Sequence, residues 1–311
     1  MPQGIHGVVL LDKPDGITSQ TAVTMVKRAL HAQKAGHTGT LDPMATGLLP
    51  VCLGEATKYS QDLLDADKTY LATLRFGQKT ATGDAEGEVV ATGEVAFDVS
   101  NKEIIHAELN RVAQQFIGSI QQIPPMHSAL KRDGKPLYEY ARAGEVLERE
   151  PRQATIHSIE WLDMNWPIAQ MRVACSKGTY IRTLAEDIGE ILGCYAHLIG
   201  LRRERVGHLS LQNSVAIEDL KNHSTPEKHL LPIDALVQDL PTVSLDDDQA
   251  RRLCLGQRVP VERSGRSEEL LRIYRHDVAP DHFLGTADWR QGVLHPRRLL
   301  SMDVVNLNIV N

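Results

Sequence analysis

An α+β fold with a small β-rich module at the C-terminal end is predicted by three features of this 311-residue sequence. Residues 68–76, KTYLATLRF, alternate with period two, as a half-buried strand does. Residues 18–30 and 179–192 instead carry apolar side chains at helical spacing. Over 221–248 the character changes, through the polar stretch KNHSTPEKH and the acid run Asp246-Asp247-Asp248. Short strand-like runs follow, such as LLRIYR and HFLGTADW, with Gly and Pro between them. A boundary near residue 240 divides the chain into units 1–240 and 241–311.

The elements follow in order. Val8 to Leu11 reads as a buried strand, stopped by the turn Lys13-Pro14-Asp15-Gly16. Thr18 or Ser19 then caps a helix whose apolar face is Ala22, Val23, Val26, Ala29 and Leu30. Residues 36–47 are punctuated by glycine and show neither period, which predicts a loop. In 68–76, Tyr70, Ala72, Leu74 and Phe76 share one face. TATGDAEGEVV is loop-like and leads into a second strand, and 101–118 reads as helical. Residues 123–136, with three prolines and one glycine, form an exposed excursion. Strands are predicted over 155–161 and 169–175, then a helix from near Thr179 bearing Ile181, Leu184, Ala185, Ile188 and Leu192.

Composition narrows the class. Apolar residues at 42% and charged residues at 24% fit a soluble globular protein long enough to bury its own core. The apolar run at Val8–Leu11 is too short for a signal peptide or a membrane span, so a cytoplasmic location is expected. The four cysteines have no CxxC spacing, and the thirteen histidines form no HExxH pattern, so neither a metal nor a disulfide framework is expected. A net charge of −6 argues weakly against a nucleic-acid partner. Local clusters argue the other way: Lys131, Arg132, Lys135 and Arg142; Arg202-Arg203-Glu204-Arg205; and seven arginines against three acids over 251–275.

The most informative segment is Gly36-His37-Thr38-Gly39-Thr40-Leu41-Asp42-Pro43-Met44-Ala45-Thr46-Gly47. It lacks the Gly-Lys-Ser/Thr of a P-loop. It offers a carboxylate on a glycine-rich loop, with Pro43 restricting Asp42 to extended geometry and glycines permitting close approach of a ligand. Taken alone, Asp42 fits a turn-forming residue as well as a functional one.

This segment resembles the catalytic motif G-H-T-G-x-L-D-P-x-A-T-G of the TruB family of pseudouridine synthases. Further blocks resemble the family in its order: Lys13-Pro14, Lys68-Thr69-Tyr70, Pro124 to Lys131 with Gly134, Tyr138, Ala141, Arg142 and Gly144, Cys175 to Leu184, and Gly200-Leu201-Arg202-Arg203. The resemblance implies a mixed, mostly antiparallel sheet flanked by helices, followed by a PUA-like RNA-binding module. It implies isomerisation of uridine 55 in the tRNA T-loop to pseudouridine, on a flipped-out nucleotide and without a cofactor.

The residue roles carried by the resemblance are these. Asp42 acts as nucleophile or as general base, with Arg182 as its partner. Tyr70 stacks on the uracil and assists proton removal from carbon 5. Tyr180 and Leu201 line the pocket, and His37 fills the space that the flipped base vacates. Lys13 is expected at the substrate pocket as a support. Lys131 and Arg132, on an RNA-gripping insertion at 124–152, would reach phosphates, as would Arg251, Arg252, Arg258 and Arg263. The implied partner is the tRNA T-arm, with the protein acting as a monomer without protein partners. Two alternatives stay open: the catalytic subunit of a guide-RNA pseudouridylation complex, and a non-catalytic tRNA-folding protein. His127 stands where the family usually has Tyr or Phe, and Ala81 where Asp is common.

Overall fold

A computed structural model describes residues 4–263, 265–266, 268–276 and 282–305. The larger sheet runs in the order Val215–Ala216, Gly7–Lys13, Ala45–Leu53, Ala196–Val206, Lys68–Phe76, Ile168–Cys175, Arg152–Asn165 and Gly118–Gln122. Along this path two pairings are parallel, Gly7–Lys13 with Val215–Ala216 and Ala196–Val206 with Ala45–Leu53. The others are antiparallel, so the sheet is mixed and mostly antiparallel, as expected.

The strand Gly7–Lys13 shows how alternation builds the layers. Val9 and Leu11 pack with Ala22, Val23 and Val26 of the helix Ser19–Ala29. Val8 and Leu10 face the other way, into a core shared with the C-terminal sheet. Buried on both faces, the strand reads as an unbroken apolar run. Thr18 caps the helix, its hydroxyl accepting from the Thr21 amide at 3.1 Å. A separate core lies between the strands Lys68–Phe76 and Ile168–Cys175 and the helices Lys102–Ala113 and Ile181–Ile191.

Several predicted boundaries move. Residues 36–47 are not all loop: Ala35–His37 and Ala45–Leu53 are strands, leaving 38–44 between them. Gly36 and Gly47 show no side-chain period, yet their backbones pair with Cys52 and Lys13. The predicted helix over 101–118 ends at Ala113, passes through a tight turn Gln114–Phe116, and gives way to a strand at Gly118. The helix expected from near Thr179 starts at Ile181, with Tyr180 at its N-cap position.

The second sheet has the order Thr242–Leu245, Glu268–Arg275, Phe283–Arg290, Val293–Leu299 and Val259–Pro260. The acid run at its start has a local cause. Asp246 and Gln249 form a capping box on the helix Asp247–Cys254, and Asp247 and Asp248 occupy its positive first turn. This sheet is fastened to the larger one. The Tyr59 ring lies 5.5 Å from that of Phe283, the Tyr59 hydroxyl donates to the Arg298 carbonyl at 2.7 Å, and Arg298 pairs with Asp62 at 2.6 Å. Among the described residues, no helix is long and apolar enough to cross a membrane.

Candidate active site

Residues 38–44 connect two paired strands, so both ends of the loop are anchored in the sheet. Its buried backbone polar groups need partners, and they find them on neighbouring elements. Ser19 Oγ donates to the Leu41 carbonyl at 2.9 Å and accepts from the Leu41 amide at 2.8 Å. The Gly16 amide donates to the Pro43 carbonyl at 3.0 Å. Lys13 Nζ donates to the carbonyls of Pro14, Ile17 and Pro43 at 2.8, 2.7 and 3.1 Å, which uses all three ammonium protons. Arg203 donates to the carbonyls of Leu48, Gly39 and Thr40 at 2.8, 3.0 and 3.5 Å. Gly47 lets the backbone of Arg203 approach the strand Ala45–Leu53 closely. Its φ is +97°, and a Cβ there would sit 2.4 Å from the Arg203 carbonyl.

The loop presents Asp42 to Arg182. The Arg182 Nη2 atom lies 3.0 Å from Asp42 Oδ2, and Nη1 lies 3.4 Å from Asp84 Oδ2. The same guanidinium donates to the carbonyls of His127 at 2.6 Å and Thr82 at 3.1 Å. A buried cation with four oxygen partners is fixed in place. Asp42 keeps 36% of its side chain exposed, whereas Arg182 keeps 5% and Asp84 4%, so only Asp42 is open to a ligand. Burial pushes the Asp42 carboxyl above the usual carboxylate range; Arg182 opposes this and Asp84 reinforces it.

Two cavities meet at this ion pair. One, of about 240 Å³, is walled by Tyr70, Tyr180, Leu201, Leu64, Lys68 and Arg203 beside Asp42. The other, of about 390 Å³, is bounded by His37, Thr18, Gln20, Tyr138 and Arg142 and shares Asp42 and Arg182 with the first. Strand register brings the first set together: Arg203 lies across from Tyr70, and Leu201 across from Ala72. Burial pushes the Tyr70 phenol up, and Arg203 opposes that rise. The Gln122 side chain fixes the backbone of Tyr180, accepting from its amide at 2.9 Å and donating to its carbonyl at 3.2 Å.

Most of the residues singled out from the sequence converge here, with exceptions. Asp42, Arg182, Tyr70, Tyr180 and Leu201 border the smaller cavity. His37 borders the larger one, its Nδ1 accepting from the Gly39 amide at 3.1 Å while burial lowers its pKa. Lys13, expected at the pocket as a support, lines neither cavity: it is fully enclosed beneath the loop, with every donor engaged. Lys131 and Arg132 line neither cavity. They sit exposed on a two-residue hairpin with Lys135–Pro136, where Arg132 donates to the Glu148 carbonyl at 2.7 Å. Arg251 and Arg258 are exposed, Arg252 lies 3.7 Å from Asp248, and Arg263 pairs with Glu269 over the Trp289 ring. Of the two departures, His127 contributes its carbonyl to Arg182, so this contact is indifferent to its side chain. Ala81 is exposed, three residues before the buried carboxylate of Asp84.

Asp84 was not singled out from the sequence, and Lys68 and Arg203 entered only as members of family blocks and, for Arg203, of a basic cluster, without a role of their own. Asp84 had a faint signal: Thr82-Gly83-Asp84 lies in a loop, and its Oδ1 accepts from the Thr82 hydroxyl and the Glu86 amide. Such local bonds are what an ordinary turn aspartate makes.

Comparison with known proteins agrees along the chain. Residues 27–181 match the family described as TruB family pseudouridylate synthase (N terminal domain). Residues 182–238 match tRNA pseudouridylate synthase B C-terminal domain, and 241–300 match Pseudouridine synthase II TruB, C-terminal. The tRNA pseudouridine synthase B of Ralstonia nicotianae is 53% identical over 305 residues, covering 96% of this chain and 95% of that protein. The protein of the same name from Cupriavidus pinatubonensis is 52% identical over 308 residues, with the same coverages. Among solved structures, a chain of a Cbf5-Nop10-Gar1 complex superposes with a TM-score of 0.70 at 26% identity, covering 96% of this chain and 86% of that one.

Proposed function

Because the chain belongs to the TruB family of pseudouridylate synthases, we propose that it isomerises uridine 55 in the T-loop of tRNA to pseudouridine, with Asp42 as the essential carboxylate. One observation carries the assignment of the site: the single carboxylate of the ion-paired cluster that remains accessible, Asp42, opens onto a cavity walled by two tyrosines and a leucine. Such a cavity suits a flat base taken out of its stack.

The chemistry follows from the groups present. The bond from ribose carbon 1′ to uracil N1 breaks, and the ribose is rejoined at carbon 5. Asp42 acts at the ribose, either by attacking carbon 1′ or by removing the proton of carbon 2′, and Arg182 keeps it charged. Tyr70 and Tyr180 hold the uracil ring, Leu201 packs against it, and the carbon-5 proton leaves on the Tyr70 side. His37 stacks where the base came from. Lys13 supports the loop that carries Asp42. Lys131 and Arg132 on the 124–152 insertion grip phosphates, and the unit 241–311 contacts the acceptor stem. The protein works in the cytoplasm as a monomer.

A second reading, the catalytic subunit of a guide-RNA complex, draws on the likeness to the Cbf5 chain. The relatives of about twice that identity are named for tRNA, as tRNA pseudouridine synthase B, which favours the first reading. Purified protein alone, given a T-arm transcript, separates them: pseudouridine should form without added protein or guide RNA. Asp42→Asn should bind the transcript with undiminished affinity and form no product. Product at the wild-type rate from that variant would remove Asp42 from the mechanism.

A further inference from the structure

Two buried cations in the wall of the smaller cavity have no part in the chemistry above. Lys68 and Tyr70 are two residues apart on one strand and so share a face; both border the cavity, as does Arg203 from the neighbouring strand. Lys68 is 7% exposed and Arg203 1%. Lys68 Nζ donates to the carbonyls of Leu63, Leu64 and Ala66 at 3.3, 2.7 and 2.6 Å, and Arg203 is engaged by the carbonyls of Leu48 and Gly39 and reaches the Tyr70 phenol, all neutral partners. Among the described residues, neither forms an ion pair within 4.0 Å. Hydrogen bonds to neutral carbonyls hold these charges without cancelling them.

The charges around the cavity do not balance as a result. Arg182 faces both Asp42 and Asp84, which leaves a deficit of positive charge. Among the five groups Asp42, Asp84, Arg182, Lys68 and Arg203, the last two turn that deficit into a net single positive charge, while Asp65 and Asp67 act on Lys68 from beyond the cavity lining. Burial of a cation without a counter-ion is costly, and the cost shows in the Lys68 ammonium, which burial pushes down to about 8. A carboxylate partner or an apolar residue would remove that cost, so the arrangement calls for an anion that is present only transiently.

Given the proposed reaction, such an anion arises. When the bond from carbon 1′ to N1 breaks, its electron pair stays on N1 and delocalises onto the two uracil oxygens. Carbon 1′ is satisfied either by a new bond to an Asp42 oxygen or by forming a double bond to carbon 2′ as Asp42 takes the 2′ proton. On both routes the detached uracil carries one negative charge. Carbon 5 then bonds to carbon 1′, expelling the Asp42 carboxylate on the first route or with Asp42 returning its proton to carbon 2′ on the second, and this consumes the uracil charge; carbon 5 then loses a proton and N1 gains one. We propose that Lys68, assisted by Arg203, stabilises the detached uracil anion through its fixed positive charge, and so acts on the bond-breaking step rather than on binding. Preorganised charge aimed at a developing anion in a water-poor site is an effective form of catalysis.

The test is the single-turnover rate of C1′–N1 cleavage in T-arm RNA carrying either uridine or 5-fluorouridine at the target position. Fluorine makes N1 a better leaving group, so the fluorinated base needs less help from a cation. Lys68→Met should cleave uridine about 100-fold more slowly with unchanged affinity for the RNA, and its loss on 5-fluorouridine should be at least tenfold smaller. Lys68→Arg should restore most of the rate. Lys68→Gln retains donors for the carbonyls but no charge, and should fail as Lys68→Met does; it carries the comparison where the methionine variant does not fold. Equal losses on the two bases, or a glutamine variant at the wild-type rate, would reduce Lys68 to a wall of the pocket and overturn the inference. A wild-type protein that leaves both bases attached would instead overturn the functional assignment on which it rests.

Discussion

Asp84 Oδ2 lies 3.4 Å from Arg182 Nη1, with both side chains almost wholly buried. Through this contact an almost wholly buried carboxylate governs a more exposed one. Asp84 repels the charge on Asp42, and Arg182 attracts it. Activity that requires ionised Asp42 is lost as pH falls through the Asp42 pKa. Asp84→Asn removes the repulsion and should move the acid limb of the rate profile to lower pH. Arg182→Gln removes the attraction and should move it to higher pH. Arg182→Gln also strands a buried carboxylate, at a cost of about 3–5 kcal/mol in stability, part of which the double variant with Asp84→Asn should recover. Rate profiles and urea denaturation decide this; acid limbs moving in the same direction would contradict it.

Ser19 ties the helix Ser19–Ala29 to the middle of the loop through both backbone groups of Leu41. Ser19→Ala leaves a buried amide and a buried carbonyl without partners, which costs about 1–3 kcal/mol. The Asp42 carboxylate is the next residue along, so its placement suffers as well. A displacement of this kind lowers kcat by about 10–100-fold, while KM for the T-arm should stay within about twofold. A variant with the wild-type kcat and lowered stability would show that the loop is held well enough by Lys13 and Arg203.

How much of this was legible in the sequence depends on whether the cause was local. The strand Lys68–Phe76 was readable because its alternation matches its burial, and the first helix because Thr18 caps it where its apolar face begins. The ends of the catalytic loop were not, because Gly36 and Gly47 pair through backbone atoms that every residue type carries. Asp42 stood out through the family motif, whereas Asp84 did not: its tie to Arg182 spans a large stretch of chain and leaves no spacing pattern. The burial of Lys13, Lys68 and Arg203 was not legible, for a common reason. A cation in a sequence reads as exposed, and carbonyl partners that make its burial tolerable carry no residue signature.

The hairpin formed by Lys131–Arg132 and Lys135–Pro136 stands clear of both cavities. Its charges are therefore expected to act on association alone. Lys131→Ala with Arg132→Ala should weaken T-arm binding to a similar degree whatever the loop sequence. For two lost phosphate contacts, the slope of log affinity against log salt should become shallower by about 1.4–1.8. The turnover rate at saturating RNA should stay within about twofold. An unchanged salt slope would take these residues out of the RNA interface.

Lys13 supplies a prediction in which stability and activity part company. Burial pushes its ammonium down to about 8, whereas a lysine in the unfolded chain keeps its proton until about 10.4. Between those values the unfolded state binds the additional proton, so this group makes the folded state more stable as pH rises, by about 1.4 kcal/mol per pH unit. Lys13→Met lacks this contribution. Measured by urea denaturation, the wild type should therefore gain about 1.6 kcal/mol on the variant between pH 8 and pH 9.5; Lys68 is present in both chains and cancels. Over the same interval the neutral amine has two protons left for three carbonyls, at Pro14, Ile17 and Pro43. The tether on Pro43 then weakens beside the catalytic carboxylate. Wild-type kcat should fall above about pH 8 while the Lys13 contribution to stability improves. A stability difference that stays constant across this range would mean that Lys13 keeps an ordinary pKa in its enclosure.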